Sequence, residues 1–272
     1  MSVSRAARLG LSALALSGFV ACALAQTPKA EFQPEVGQQG KDVVWVPSPQ
    51  ALVDKMLDMA KVTPKDFVMD LGSGDGRTVI TAAKRGARAL GVEYNPDMVA
   101  LSRRNAEKAG VTGKANFVEA DIFKTDLSKA TVITLFLLTD LNLRLRPTIL
   151  TLRPGTRVVS NTFRMGEWEP DQTVELGCDT YCTAYLWIVP ARVEGKWRFG
   201  QGELVLKQDF QKLSGTLTTG NISAPISRGS LRGDQISFTA GGAEYHGRVN
   251  GSAIEGTVKS GGKSSVWKAS RS

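Results

Sequence analysis

Seven residues constrain this chain more than any others: Asp70-Leu71-Gly72-Ser73-Gly74-Asp75-Gly76. They follow directly on the apolar run Phe67-Val68-Met69 and open a helical stretch that begins near Arg77. Glycine at 72, 74 and 76 lets the backbone turn sharply and lets a ligand approach where any Cβ would collide. A strand that feeds a helix through such a turn points to an α/β sheet with a ligand at its strand ends. The spacing is not the G-x-G-x-x-G that wraps a pyrophosphate, because the third glycine comes one residue early and acidic side chains stand at 70 and 75. Two carboxylates repel a pyrophosphate and suit a ligand that carries positive charge.

The surrounding pattern supplies the rest of such a sheet. Ser48 and Pro49 start a helical period through Leu52, Val53, Met56, Leu57 and Met59, with Ser48 as the expected cap. Strands are expected at 67–71, 87–92, 116–118, 131–138 and 156–163, alternating with helices at 77–85, 96–109 and 141–152. Such alternation implies a mostly parallel sheet with helices on both faces. After Pro170 strands follow without helices, at 173–176 and 183–189. Beyond Pro190 the chain turns to Gly, Ser and Thr with short alternating runs and the hairpin dipeptides Gly241-Gly242 and Asn250-Gly251, so residues 191–272 read as an antiparallel β module.

A ligand with a sulfonium, an amino group and no phosphate fits the acidic turn. Here the sequence resembles the class I, or seven-β-strand, methyltransferases, whose first motif is an acid followed by x-G-x-G-x-G at the end of the first strand. The resemblance implies a Rossmann-like seven-stranded sheet over residues 46–190 and S-adenosyl-L-methionine as cofactor. It implies that Asp70, Gly72, Ser73, Gly74, Asp75 and Gly76 line the cofactor. It also implies that Glu93, ending Gly91-Val92-Glu93, accepts from the ribose hydroxyls, that Tyr94 and Asn95 pack beside the adenosine, and that Asp121 in Glu119-Ala120-Asp121 meets the adenine amino group. The residues alone leave other roles open: Asp70 capping a helix or binding loop amides, and Asp121 capping a turn.

A narrower resemblance rests on Val46-Pro47-Ser48-Pro49, on Gly72 to Arg77, and on Leu137-Leu138-Thr139-Asp140-Leu141-Asn142. These look like a small group of protein-lysine methyltransferases whose eukaryotic members act on mitochondrial membrane proteins such as that of the ATP synthase c-ring, with bacterial relatives. The resemblance implies a protein substrate and leaves its association with the membrane or cell envelope open. The fourth strand ends in Thr139-Asp140, not in the Asn/Asp-Pro-Pro-Tyr of enzymes that methylate amide or base nitrogens, which argues against a nucleic-acid acceptor. Asp140 and Asn142 are the candidate catalytic residues, with capping of the following helix as their alternative role. Trp45 and Pro47 are candidates for a lid.

Composition limits the chemistry further. One histidine, His246, and three cysteines exclude a zinc site built on a His/Cys cluster, and no metal is expected. The chain holds 34 Lys plus Arg and 26 Asp plus Glu, a net +8. Residues 191–272 carry twelve basic and six acidic residues, whereas residues 26–190 carry twenty of each. The basic module thus suits an acidic partner, and its aromatic residues fall at core positions, not on a stacking platform for nucleic acid. Arg5 and Arg8, the apolar run Leu9–Ala25 and the ending Ala23-Leu24-Ala25 form a signal-peptide pattern with cleavage expected before Gln26. The expected location is the periplasm, with an inner-membrane anchor through residues 9–25 as the alternative. Residues 26–45 form a polar arm, and Cys178 and Cys182 are placed to close a hairpin by a disulfide. Because the cofactor is made in the cytosol, a second function stays open: an exported protein that binds a nucleoside-like or other small ligand on a catalytically silent methyltransferase fold.

Overall fold

The computed structural model describes residues 1–2, 31–177 and 180–272. Residues 3–30, which hold the leader pattern and the first part of the arm, and Cys178 lie outside the described residues. The chain divides into Met1–Glu31 and one compact unit, Phe32–Ser272. Among the described residues no helix is long and apolar enough to cross a membrane.

The compact unit is built from two sheets. The first contains β1 (Phe67–Leu71), β2 (Arg88–Glu93), β3 (Ala115–Glu119), β4 (Val132–Leu135), β5 (Arg157–Asn161), β6 (Gln172–Glu175) and β7 (Thr183–Ile188) in the order β3-β2-β1-β4-β5-β7-β6. The first five run parallel, and β7 is antiparallel to both β5 and β6. This is the expected seven-stranded methyltransferase sheet. The strand period of two sorts its side chains onto two faces. Val68, Val132, Val159 and Ala184 pack under α1 (Gln50–Met59), α2 (Arg77–Lys84) and α3 (Pro96–Lys108). Met69, Leu71, Ile133, Leu135 and Val158 pack under α4 (Thr139–Ile149), whose Leu141, Leu145 and Ile149 recur at helical spacing.

Three local expectations change. Ser48 does not cap α1: the N-cap is Pro49, without a side-chain hydrogen bond, and the Ser48 hydroxyl accepts from Asn161 Nδ2 at 3.0 Å. The fourth strand stops at Leu135, and α4 begins at Thr139. The apolar run continues past the strand because Phe136 and Leu137 face the ligand cleft and not a sheet neighbour.

The second sheet contains β8 (Gly195–Phe199), β9 (Gly202–Asp209), β10 (Lys212–Thr219), β11 (Ile222–Pro225), β12 (Ser227–Arg232), β13 (Gln235–Ala240), β14 (Ala243–Asn250), β15 (Ala253–Ser260) and β16 (Lys263–Arg271). β11 and β12 pair with successive parts of the same edge of β10, so they act as one strand bent at Ile226. With β9 pairing to both β8 and β10, the wall closes into an eight-stranded antiparallel barrel. Closure follows from short strands joined by tight turns such as Gly241-Gly242, where both residues have positive φ. The interior is filled by Trp197, Leu204, Ile236, Phe238, Ile254 and Trp267. Phe199 and Tyr245 pack partly buried against this core. Phe210 departs from the expected pattern: its ring leaves the barrel and stacks on Trp168 of the first sheet's layer, centroids 6.0 Å apart.

Around that stack the modules are fastened by Lys212 Nζ to Glu169 Oε2 at 2.9 Å and by Gln211 Nε2 donating to the Glu169 carbonyl. A further contact lies where the parallel strands begin: a Cβ on Gly233 would stand 3.0 Å from the Cα of Gly155, just before β5. The glycine turn after β1 lies at the other end.

Candidate active site

The cleft opens where β1 to β4 end, and register explains its composition. Asp70 pairs with Thr134 across β1 and β4, so their side chains share a face and the Thr134 hydroxyl donates to Asp70 Oδ1 at 2.5 Å. Asp70 is 6% exposed. Burial pushes its pKa up to about 7, against the pull of the Thr134 hydrogen bond and with help from the nearby carboxylates of Glu93 and Asp75. Asp70 does not cap α2, whose N-cap is Gly76 at φ +84.

Glu93 organises the turn. Its Oε2 accepts from Gly74 N at 3.0 Å, and its Oε1 accepts from Tyr94 N at 2.9 Å and Asn95 N at 3.0 Å. Four lone-pair sites on a carboxylate leave acceptor capacity on Oε2 for a hydroxyl. Gly91 keeps the floor open beneath the loop: a Cβ there would stand 2.6 Å from Ser73 Oγ and from the Phe117 ring. The Ser73 hydroxyl is buried with no hydrogen-bond partner among the described residues.

Of the other residues expected at the cofactor, each has a further role. Asp75 lines the cleft, but its carboxylate forms a fork with Arg77, Nη2 to Oδ2 at 2.6 Å, and accepts from Arg77 N. Asn95 also lines the cleft, and its Oδ1 caps α3 by accepting from Asp97 N at 2.9 Å. Tyr94 is 53% exposed, with Lys41 Nζ 4.3 Å from its ring centroid. Asp121 takes Lys41 Nζ at 3.0 Å and closes a turn by accepting from Phe123 N. That backbone bond, then Lys41, holds its carboxyl below the usual range.

Asp140 and Asn142 stand apart from the cleft lining. Asp140 lies in the first turn of α4 without a capping bond. Asn142 is fully buried, and its Nδ2 donates to the carbonyls of Phe163 and Arg164 at 3.2 and 3.4 Å. The residues of the arm and its continuation, 38 to 48, fold over the cleft, pinned by Trp45 N to Gln38 O and Gly37 N to Trp45 O. Trp45 and Pro47 both line it. Lys41, which fastens this flap to Tyr94 and Asp121, carries no local sequence signal because its partners are 53 and 80 residues away (94 − 41 and 121 − 41).

A buried acid beside a glycine turn, with a second acid one strand over, fits a cationic nucleoside such as S-adenosylmethionine. Fold and cleft together define a class I methyltransferase. The ANTKMT methyltransferase domain model matches residues 70–172. A protein-lysine N-methyltransferase from Saccharolobus islandicus is 44% identical over 151 residues, 54% of this chain and 94% of that protein. The adenine nucleotide translocase lysine N-methyltransferase of Mus musculus is 35% identical over 129 residues; the match spans 47% of this chain and 56% of that protein. A crystal structure described as an RNA methyltransferase from Salinibacter ruber in complex with S-adenosyl-L-homocysteine is 48% identical. It superposes with a TM-score of 0.52 over 54% of this chain and 96% of that one. The chain belongs to one family with the protein-lysine N-methyltransferase of Saccharolobus islandicus, and it is an S-adenosylmethionine-dependent methyltransferase.

Proposed function

We propose that this protein transfers a methyl group to the ε-amino group of a protein lysine. The observation that carries the reading is its 44% identity across 94% of a protein-lysine N-methyltransferase. Asp70, Glu93 and the turn from Gly72 to Gly76 would hold the cofactor, which when bound supplies an electrophilic methyl on sulfur. The chain's own task is orientation: the acceptor nitrogen must sit about 3–3.5 Å from that carbon, in line with the bond that breaks. Leu137, Leu141, Trp45 and Pro47 keep water from the cleft. The nitrogen must also be neutral, which an apolar approach favours by lowering an amine's pKa.

An RNA acceptor is the competing reading, favoured by the description of the Salinibacter ruber structure. The equal numbers of acidic and basic residues over 26–190 speak against it, since binding a phosphate backbone calls for a positive excess. Nothing in the fold or the relatives supports a silent binding scaffold. We propose further that the chain is exported, a reading supported by the pattern of residues 5–25 and by Cys182 being disulfide-bonded. A periplasm-dependent reporter fused at the C-terminus tests this, and an inactive reporter excludes it.

The acceptor is tested by incubating the full chain with methyl-labelled cofactor and a cell-envelope extract, then mapping the label. Label on lysine is expected, and none with Glu93→Ala. Label confined to RNA would replace this reading with the other.

A further inference from the structure

Three aromatic rings converge beside the cleft at the ends of β4, β5 and β7. Phe136 follows β4 and lines the cleft itself. Its ring stacks on Phe163 with centroids 6.0 Å apart and meets Tyr181 edge-on at 5.2 Å, and Phe163 lies 6.2 Å from Tyr181. Tyr181 is 39% exposed, so the cluster runs from solvent to the cofactor cleft.

The chain maintains this cluster against local cost. Tyr181 has φ +54, and Thr162, which precedes Phe163, has φ +60. Such conformations are unfavourable for non-glycine residues and persist only where the surroundings enforce them. Around Thr162 and Phe163 the surroundings are a buried polar chain. Ser160 Oγ donates to the Phe163 carbonyl at 2.8 Å, and Asn142 Nδ2 donates to the same oxygen. Thr162 Oγ1 donates to Asn161 Oδ1 at 2.9 Å, and Asn161 Nδ2 donates to Ser48 Oγ. Asn142, Ser160 and Asn161 are fully buried, and Ser48 lines the cofactor cleft. The Phe163 turn is thus tied to the cleft by hydrogen bonds on one side and by ring contact on the other.

We propose that Phe136, Phe163 and Tyr181 form the wall along which the acceptor side chain enters, and that this wall selects a primary alkylamine. The proposal rests on the lysine reading above. Aromatic faces attract an ammonium and also accept a methylene chain, so the mouth at Tyr181 captures the charged form. Deeper, against Phe163 and Phe136, loss of water favours the neutral amine, which is the nucleophile. The proton leaves to solvent past Tyr181, the nitrogen bonds to the methyl carbon, and the carbon–sulfur bond breaks with its electrons staying on sulfur. The methylated ammonium then withdraws along the same faces.

The test uses the full chain saturated with S-adenosylhomocysteine and n-hexylamine as probe, read by saturation-transfer NMR. Transfer to the hexylamine methylenes is expected in the wild type, and at least a fivefold loss in Phe163→Ala and Tyr181→Ala. Tyr181→Phe, which keeps the ring, is expected to retain it. Calorimetric affinity for S-adenosylhomocysteine should stay within twofold in all three, which shows that the fold and cofactor cleft are intact. Undiminished transfer in both alanine variants overturns the proposal, as does no transfer in a wild type that labels lysine in the envelope extract. A wild type that binds no S-adenosylhomocysteine overturns the methyltransferase reading and this proposal with it.

Discussion

The indole Nε1 of Trp45 stands 2.7 Å from the point that a Cβ on Gly74 would occupy. The flap and the glycine turn therefore touch through an absent side chain, and Gly74 has φ +54. Gly74→Ala should displace the indole and add about 1–2 kcal/mol of backbone strain. We expect at least a tenfold loss of S-adenosylhomocysteine affinity by calorimetry, together with a red shift of tryptophan emission. Unchanged affinity and emission would show that Trp45 does not cover the cofactor.

Glu93 is the acceptor for three backbone amides as well as the expected partner of the ribose. Glu93→Gln removes the charge and half the acceptor capacity while keeping the shape. Hydrogen bonds to charged groups contribute about 1.5–3 kcal/mol, so affinity should fall roughly 10- to 100-fold, with some loss of thermal stability. Affinity within twofold of wild type contradicts the assignment.

Asp70 is expected to make ligand binding and stability depend on pH in opposite directions. Its pKa is raised from 3.8 to about 7. As pH climbs between these values the unfolded chain has lost a proton that the folded chain keeps, so stability falls across this window and levels off above it. A cationic ligand needs the ionised form, so S-adenosylmethionine affinity should rise by up to about tenfold per unit as pH approaches 7, then plateau. Asp70→Asn should flatten both curves. A pH-independent wild-type affinity between about pH 5 and 7 would mean that Asp70 is not coupled to the ligand.

Phe210 is half-buried on Trp168, with Arg146 5.3 Å from its centroid. Phe210→Ala should cost about 1–3 kcal/mol, below the 3–5 of a fully buried phenylalanine. Because none of these three residues lines the cleft, cofactor affinity should hold while the calorimetric transition splits or broadens. An unchanged unfolding profile would show that the barrel is fastened elsewhere.

The parts of this molecule legible in the sequence are those with local causes. The glycine turn, the alternation of strands and helices, and Glu93 one strand over are each set within a few residues. Asn95-Pro96-Asp97 is also a local signal, that of a helix N-terminus, and the resemblance to cofactor-binding residues obscures it. What stays hidden depends on register or distance. Thr134 meets Asp70 only because β1 and β4 align residue for residue. Lys41 reaches Asp121 only once the flap has closed. Phe210 resembles barrel core because its neighbours alternate, yet at φ +51 it sits in a turn that redirects its ring. Asn142, a candidate through the resemblance, is buried and donates to the Phe163 carbonyl, a contact 21 positions away that no local pattern announces.

The closure of the C-terminal wall by β9 against β10 has one more consequence. In this cylinder β11 pairs with β10 alone and leaves only the short rim Ile222–Pro225 to an extended peptide, so the module is a narrow platform for strand addition. Elsewhere on the module a partner is met by loops or outward side chains, where the basic surplus lies, and such encounters loosen as salt rises.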